Sequence, residues 1–160
     1  MNQPKDPILK NLKIRPMNES DVNRITLLET RIFPDPWPKS AFLEELGKDY
    51  RGVIIADIDG AISGYASYII SYGEAHLTNI AVAPKYRGKS IAKNLLNAIL
   101  DIAKKADCEY VFLDVRPTNT AAISIYQKSG FAELYRRPNY YHNPVEDAIV
   151  MVKSLDQEDA

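Results

Sequence analysis

The dipeptide Asp59-Gly60, which separates two runs rich in β-branched residues, restricts the fold of this chain more than any other feature. The runs cover residues 52–57 and 62–71, and an Asp-Gly pair between such runs predicts a β-hairpin. Strands joined by two residues are antiparallel, because parallel neighbours need a crossover of a dozen or more residues. A doubly wound parallel sheet is therefore excluded.

Helical and strand periodicity predicts further elements on both sides of the hairpin. Helices are expected at residues 20–32, 39–47, 91–103 and 119–129, and strands at residues 12–15, 75–82, 108–115, 131–136 and 147–152. The order is then strand, two helices, three strands, helix, strand, helix and two strands. It predicts an α/β (α+β) chain with about seven strands and an antiparallel first half.

Length and composition fit one globular domain: the chain has 160 residues, of which 46% are hydrophobic and 26% charged. We predict a single domain over residues 1–160, with flexible tails at residues 1–10 and 155–160. The net charge of -1 provides no overall basic field, so no nucleic-acid partner is expected. The sequence shows neither the apolar core of a secretory signal nor an apolar run near the roughly 20 residues of a membrane span. A cytoplasmic protein without a membrane partner is therefore expected.

The residue types that bind metals are too sparse to predict a metal site. Cys108 is the only cysteine and lies in an apolar stretch, which predicts a buried, unreactive thiol. His76 and His142 are the two histidines, and neither has a second ligand type at metal spacing. We expect no intrachain disulfide and no metal cofactor.

A basic, glycine-containing loop joins a predicted strand to the long helix. It runs from Arg87 to Ala92, and a helix that begins there offers unpaired N–H groups and the positive end of its dipole to an anion. Small residues at positions 88, 90 and 92 would let a diphosphate approach the backbone closely. A solvated basic turn is the alternative interpretation.

The same loop is also similar to a nucleotide P-loop, because Gly88-Lys89-Ser90 follows one strand and Asp114 ends a later one. However, Ala83 replaces the first glycine of that pattern, and Pro84 and Tyr86 stiffen a loop that must wrap phosphates. The strands before it also form a hairpin, whereas P-loop sheets are parallel. A nucleotide binder is therefore the weaker alternative.

A second constellation follows in the later part of the chain. Asp114 lies near the end of a predicted strand, and Asn119 and Tyr126 are seven residues apart in the next helix. A spacing of about two turns places the last two on one helix face. The structural alternative is a helix cap at Asn119 and a half-buried core aromatic at Tyr126.

Several stretches of the chain together resemble the GNAT superfamily of acetyltransferases, and within it the RimI-like and archaeal or eukaryotic catalytic subunits of Nα-acetyltransferases. The matching stretches are residues 76–82, 87–92, 114–131, 139–141 and 146–148, with Phe33-Pro34 as a weaker upstream match. They cover about half of the chain in the order of the family. The resemblance implies the GNAT fold: a mixed, mostly antiparallel central sheet, splayed at its central strands, with helices on both faces. It also implies an enzyme that transfers acetyl from its co-substrate acetyl-CoA to the N-terminal α-amine of proteins, by direct attack in a ternary complex.

The resemblance assigns the contacts to acetyl-CoA as well. Backbone groups of Ile80, Ala81 and Val82 would pair with the pantetheine arm, and the amide near Val82 would face the thioester carbonyl. The residues implied to hold the pyrophosphate are Arg87, Gly88, Lys89, Ser90, Ile91 and Ala92. Ser90 stands where the family pattern has glycine, so its side chain must point away from the phosphates. Asn119 would hydrogen-bond the pantetheine arm.

Catalysis needs a neutral amine and a proton for the departing thiolate. RimI-like relatives have a glutamate at the position of Asp114, whose side chain is one methylene shorter, so proton transfer through an ordered water is expected. His76 matches a histidine implicated in the archaeal members, and an imidazole suits this task at neutral pH. We predict a relay of Asp114 and His76. Tyr126 is predicted to be the general acid, with its hydroxyl facing the coenzyme A sulfur.

Two aromatic segments are expected to bind the acceptor peptide. Phe33, Asp35 and Trp37 would form one wall of a groove, with Asp35 recognising a positive or amide group. Tyr140 and Tyr141, in the loop before the last strand, would form the other wall. Packing on the core is the alternative role of the four aromatic side chains.

Two other functions stay open at this point. One is a small-amine or lysine acetyltransferase; a closed pocket would favour a small molecule, whereas an open groove with aromatic walls would favour a peptide. A non-catalytic acyl-CoA-binding or partner-binding module is favoured by the aspartate at position 114. Whether an auxiliary subunit is a partner is also left open.

Overall fold

The computed structural model of the protein describes residues 7–155, and the order of its elements confirms the sequence-based prediction. The strands are β1 (Leu12–Pro16), β2 (Arg51–Ile58), β3 (Ala61–Ser71), β4 (Glu74–Val82), β5 (Tyr110–Val115), β6 (Ala132–Tyr141) and β7 (Glu146–Ser154). The α-helices are α1 (Val22–Ile32), α2 (Lys39–Glu44), α3 (Ile91–Lys105) and α4 (Thr120–Lys128). Short 3-10 helices cover Pro7–Asn11, Glu19–Asp21 and Pro84–Tyr86.

The seven strands form one mixed sheet in the order β1-β2-β3-β4-β5-β7-β6. The pairs β1·β2, β5·β7 and β6·β7 are antiparallel, and β4·β5 is parallel. The parallel register covers four residues of each strand, from Glu74 opposite Tyr110 to Leu77 opposite Leu113. The predicted mixed sheet of about seven strands is confirmed.

The chain divides into two compact units. The first contains the described chain through Ser67 together with Asn79–Ala98, and the second contains Tyr68–Thr78 and the described chain from Ile99 onward. The single domain therefore stays a prediction. Of the predicted tails, residues 1–6 and 156–160 lie outside the described residues. Residues 7–10 belong to a 3-10 helix, and Leu155 is buried with its N–H donating to the carbonyl of Glu109.

The first unit is built on the apolar face of α1. Val22 and Ile25, one turn apart, pack into a cluster with Phe42, Ile55 and Tyr65, all at most 1% exposed. Burial of each aliphatic or phenylalanine side chain in this cluster stabilises the fold by roughly 1.5–3 kcal/mol relative to an exposed position.

The start of α1 is fixed by an ion pair between β1 and the 3-10 helix Glu19–Asp21, which directly precedes α1. Arg15 donates to both carboxylate oxygens of Asp21, at 2.7 and 2.9 Å, and the N–H of Asn18 donates to Asp21 at 2.8 Å. The hydrogen bond from Arg15 lowers the pKa of Asp21 to about 2, and the hydrogen bond from Asn18 adds to the shift. The carboxylate of Asp21 therefore stabilises the start of this helix.

The second unit contains the parallel pair and the last hairpin. Val111, Leu113 and Val115 alternate along β5 and are buried. The intervening residues of β5 must then face the opposite side of the sheet, because successive side chains in a strand alternate between faces. Cys108 is buried, in agreement with the buried, unreactive thiol that the sequence predicts, and this burial raises the pKa of the thiol.

One predicted boundary is wrong in a way that concerns the site. Tyr140 and Tyr141 end β6 instead of lying in the loop before the last strand. The strand runs past Pro138 because Asn139 adopts φ 51° and the register with β7 shifts between Arg137 and Tyr141. Four residue steps along β6, from Arg137 to Tyr141, face two along β7, from Ala148 to Glu146, so this irregularity absorbs two extra residues without ending the strand.

Candidate functional site

The first unit contains the end of β4 and the basic turn that follows it. The N–H of Ala83 donates to the carbonyl of Ser63 at 2.8 Å and so holds the residue after β4 against β3. Nε of Arg87 donates to the carbonyl of Val82 at 3.2 Å. The predicted phosphate loop and the predicted pantetheine strand are thus joined by a side-chain hydrogen bond.

The turn uses left-handed backbone at two positions, Gly88 with φ 76° and Ser90 with φ 66°. The carbonyl of Ser90 accepts from the N–H of Asn94 at 3.1 Å and from its Nδ2 at 2.7 Å, which anchors the first turn of α3. A left-handed residue other than glycine costs roughly 1–2 kcal/mol. This conformation explains physically why glycine is favoured at the position of Ser90.

The turn is accessible from solvent at most of its positions. Arg87, Gly88 and Ser90 are exposed, Lys89 and Ala92 are half-buried, and Ile91 is 2% exposed because it packs under the helix. The first N–H groups of a helix have no intrahelical acceptor. An anion could therefore reach this turn from solvent.

The aromatic segment after α1 also belongs to the first unit. Phe33 and Trp37 are half-buried against the apolar cluster, and the Trp37 ring lies 5.3 Å from that of Phe42. Asp35 is exposed. The backbone N–H of Trp37 donates to the buried carboxylate of Glu29 at 2.9 Å. The two aromatics thus pack partly on the core, as the structural alternative expected.

The second unit brings Asp114 together with the two tyrosines of β6. Oδ1 of Asp114 is buried and has no hydrogen-bond partner among the described residues. Burial raises the pKa of the Tyr140 phenol; the charge of Asp114 and a hydrogen bond to its carboxylate add to this shift, and Arg137 opposes it. Burial likewise raises the pKa of Tyr141, with Asp114 and Tyr140 adding to the shift and Arg116 opposing it. Both phenols therefore stay protonated, and able to donate, across the physiological pH range.

His76 lies on the same sheet face as Asp114 but not in direct contact with it. His76 is opposite Phe112 in the parallel register, and the two rings stack at 5.3 Å. Asp114 follows Phe112 by two residues, about 6.6 Å along a strand. No hydrogen bond between His76 and Asp114 is present in the described part of the chain, so a relay between them would need an intervening water.

Tyr126 is a buried core aromatic and Asn119 is a helix cap, which are the structural alternatives to their predicted roles. Tyr126 is 4% exposed in α4, with its ring edge-on to Phe131 at 6.1 Å. Burial raises the pKa of the Tyr126 phenol. Oδ1 of Asn119 accepts from the N–H of Ala122 at 3.2 Å, as a helix cap. Their roles toward acetyl-CoA stay predictions.

Two arginines for which the sequence pattern predicts no role lie beside Asp114 and Tyr141. Nε of Arg137 lies 3.9 Å from Oδ1 of Asp114, and its Nη2 donates to the hydroxyl of Tyr135 at 3.0 Å. Arg116 lies over the Tyr141 ring at 4.4 Å and donates to Glu146 at 3.2 Å. Arg116 stands inside a matching stretch of the sequence, whereas nothing in the pattern around Arg137 indicated its position.

Two wider features of the described residues bear on the site. Residues 7–155 contain no group of three or more His, Cys, Asp or Glu side chains that could hold a metal ion. The helices of that same part of the chain are too short or too polar to cross a membrane.

Comparison with known proteins gives one consistent group of relatives. Residues 22–131 match the model of the acetyltransferase (GNAT) family. The chain is 32% identical over 145 residues to the putative ribosomal protein bS18-alanine N-acetyltransferase of Bacillus subtilis, covering 90% of this chain and 96% of that protein. It is 34% identical over 142 residues to the N-alpha-acetyltransferase RimI of Mycobacterium tuberculosis, covering 84% and 87%. The crystal structure of the ribosomal-protein-S18-alanine N-acetyltransferase from Escherichia coli aligns with a TM-score of 0.81 at 30% identity, covering 93% of this chain and 98% of that one.

Proposed function

The chain belongs to the acetyltransferase (GNAT) family and is an acetyl-CoA-dependent N-acetyltransferase, and on that premise we propose that its acceptor is the N-terminal α-amine of a protein. The observation that carries this proposal is the group formed by Asp114, Tyr140 and Tyr141. Oδ1 of Asp114, which has no hydrogen-bond partner among the described residues, can accept from an ordered water bound to the incoming amine, and two protonated phenols can donate to backbone carbonyls of a peptide.

The names of the relatives support the same acceptor. Two of them are described as acting on the alanine of a ribosomal protein, and a third as an N-alpha-acetyltransferase. The N-terminal amine of a ribosomal protein is therefore the first acceptor to test. An enzyme of this family also leaves no role for the nucleotide-binding interpretation of Gly88-Lys89-Ser90.

The acid–base requirement of the reaction favours an α-amine over a lysine. An α-amine has a pKa of about 7.7–8.0 and a lysine side chain one of about 10.4, so far more α-amine is neutral at pH 7. In the proposed reaction Asp114 accepts the amine proton through a water, with His76 as the second member of the relay. The amine nitrogen attacks the thioester carbonyl carbon, the C–N bond forms, and the C–S bond then breaks.

Tyr126 supplies the proton to the departing thiolate in this scheme. Its raised pKa keeps the hydroxyl protonated at any pH at which the enzyme works. The same shift makes it a weaker acid than a free phenol, so stabilisation of the thiolate by a hydrogen bond is the larger part of its role.

Contacts to acetyl-CoA are proposed for the first unit and for the start of α4. Backbone groups of residues 80–82 would pair with the pantetheine arm, and the exposed turn of residues 87–92 would bind the pyrophosphate. The left-handed residues Gly88 and Ser90 support this role, because they turn the chain into the N-terminus of α3. Asn119 would exchange part of its capping hydrogen bond for one to the pantetheine arm.

The proposal is tested by acetyl transfer from labelled acetyl-CoA to three kinds of acceptor. These are peptides with free N-terminal Ala, Ser or Met, the same peptides with a blocked N-terminus and an internal lysine, and a polyamine. We expect label on the free N-termini alone, with alanine peptides among the acceptors. Label confined to the lysine or to the polyamine would overturn the proposed acceptor while leaving the acetyltransferase activity intact.

A further inference from the structure

Glu29 is a buried carboxylate that the proposed reaction does not use. It lies in the last turns of α1 and is 1% exposed. The hydrogen bonds that its two oxygens accept come from neutral groups. Burying a charge is costly, so these hydrogen bonds must offset the loss of its hydration.

Three neutral donors from three segments of the first unit provide those bonds. Oε1 accepts from the Tyr65 hydroxyl at 2.5 Å and from Nδ2 of Asn79 at 2.9 Å. Oε2 accepts from the backbone N–H of Trp37 at 2.9 Å. Tyr65 lies in β3, Asn79 in β4, and Trp37 at the end of the segment proposed to line the peptide groove. One carboxylate therefore joins that segment to the strand that leads into residues 80–82.

The link to Trp37 is unusual because it passes through the main chain. Three prolines interrupt the neighbourhood, at positions 34, 36 and 38, so this stretch offers few N–H groups of its own. The ring of Trp37 packs on Phe42, but aromatic packing alone permits sliding. The hydrogen bond from the N–H of Trp37 to Glu29 fixes the position of residues 33–37 relative to β4.

We propose that Glu29 is a positioning residue, which holds the segment 33–37 and Asn79 in one geometry and thereby determines how well the acceptor peptide binds. The expected effect on peptide binding rests on the proposed function, whereas the expected effect on the position of the segment 33–37 does not. An apolar side chain of the same volume would fill the space but would leave all three donors without an acceptor. A carboxylate with two separate acceptor oxygens is needed where three donors must be held at once.

Trp37 is the only tryptophan of the chain, so its fluorescence reports on the segment without any assay of activity. Glu29→Met removes both acceptor oxygens at similar volume. Tyr65→Phe is the matched control, because it removes one hydrogen bond to the same carboxylate but keeps those to Trp37 and Asn79. We expect Glu29→Met to shift the emission to longer wavelength and to increase quenching by acrylamide at least twofold, with Tyr65→Phe close to wild type.

The kinetic arm compares KM for the peptide with the Kd for acetyl-CoA at a temperature where each variant is folded. We expect Glu29→Met to raise the peptide KM about tenfold and to change the acetyl-CoA Kd less than twofold. Glu29→Gln keeps one acceptor oxygen and should recover part of the loss; it also carries the test if the methionine variant does not fold. Tyr65→Phe should lower Tm while keeping the wild-type KM.

Two results would overturn the inference. One is an emission spectrum of Glu29→Met and Glu29→Gln that matches wild type. The other is a Tyr65→Phe variant whose emission and peptide KM change as much as those of the Glu29 variants. That result would mean that Glu29 only stabilises the fold and does not position the segment 33–37. If wild type acetylates no peptide at all, the proposed function fails, and the fluorescence comparison still decides the role of Glu29.

Discussion

Nε of Arg137 lies 3.9 Å from Oδ1 of Asp114, close enough for attraction between the charges but too far for a hydrogen bond. The guanidinium is held back by its bond to the Tyr135 hydroxyl and by its position near the rings of Tyr135 and Tyr140. The carboxylate oxygen therefore lies near a cation but accepts no hydrogen bond from it. An ordered water bound to the acceptor amine could form the missing hydrogen bond.

Asp114→Asn should lower kcat by roughly 10²–10⁴-fold, the usual contribution of a general base. The amide has the same shape, so the Kd for acetyl-CoA measured by calorimetry should stay within twofold of wild type. Glu133→Gln, at an exposed carboxylate in the same unit, is the control and should retain wild-type kcat. Equal kcat values for Asp114→Asn and wild type would exclude Asp114 as the base.

His76→Ala should change the pH dependence of kcat/KM. The imidazole stacks on Phe112 and lies on the same sheet face as Asp114, so its removal takes one member out of the proposed relay. The measurement is a pH–rate profile of wild type, His76→Ala and Asp114→Ala. Profiles of both variants that keep the wild-type shape would exclude the relay.

Tyr126→Phe should lower turnover about a hundredfold while leaving acetyl-CoA affinity nearly intact. The edge-on contact with Phe131 survives the substitution, because only the hydroxyl is removed. Tm should therefore change little. A variant with normal turnover and weakened acetyl-CoA binding would refute the proposed acid role.

Gly88→Ala and Ser90→Gly should change stability in opposite directions. A Cβ at Gly88 would meet no atom within 4 Å, so the cost of alanine there is backbone strain alone, roughly 1–2 kcal/mol. Glycine at position 90 relieves the same strain, roughly 1–2 kcal/mol, but loses about 0.5–1 kcal/mol of chain entropy, for a net gain of up to about 1.5 kcal/mol. Urea unfolding of both variants measures whether each substitution raises or lowers the free energy of unfolding. Destabilisation by Ser90→Gly would show that the serine side chain offsets its strained backbone.

The ion pair at Asp21 should make stability depend on acidic pH. Arg15 holds the folded pKa of Asp21 at about 2, below its usual value of 3.8. A lowered folded pKa means that the stabilisation is fully present above about pH 4 and is lost as the pH falls toward 2. The shift corresponds to a contribution on the order of 2 kcal/mol. Unfolding free energies of Asp21→Asn should lie below those of wild type at pH 6 and approach them near pH 2; a constant difference would contradict the assignment.

Local chemistry predicted most of the architecture. The Asp59-Gly60 turn, the apolar stripe of α1 and the alternation of β5 each follow from the spacing of neighbouring residues, because a helix or a hairpin depends on contacts close in sequence. The positions of Asp114, Asn119 and Tyr126 along the chain could be predicted for the same reason. Which of them touches acetyl-CoA could not, since no such contact lies within a local pattern.

The sequence by itself determined the order of the elements, the antiparallel hairpin and the basic turn before α3. Only the tertiary structure decided that Tyr140 and Tyr141 end a bulged strand, that Arg137 stands beside Asp114, and that Glu29 collects three donors. These relationships join residues that are 8 to 50 positions apart in the chain. Periodicity describes one element at a time, whereas the strand register and the packing between elements determine which distant side chains meet.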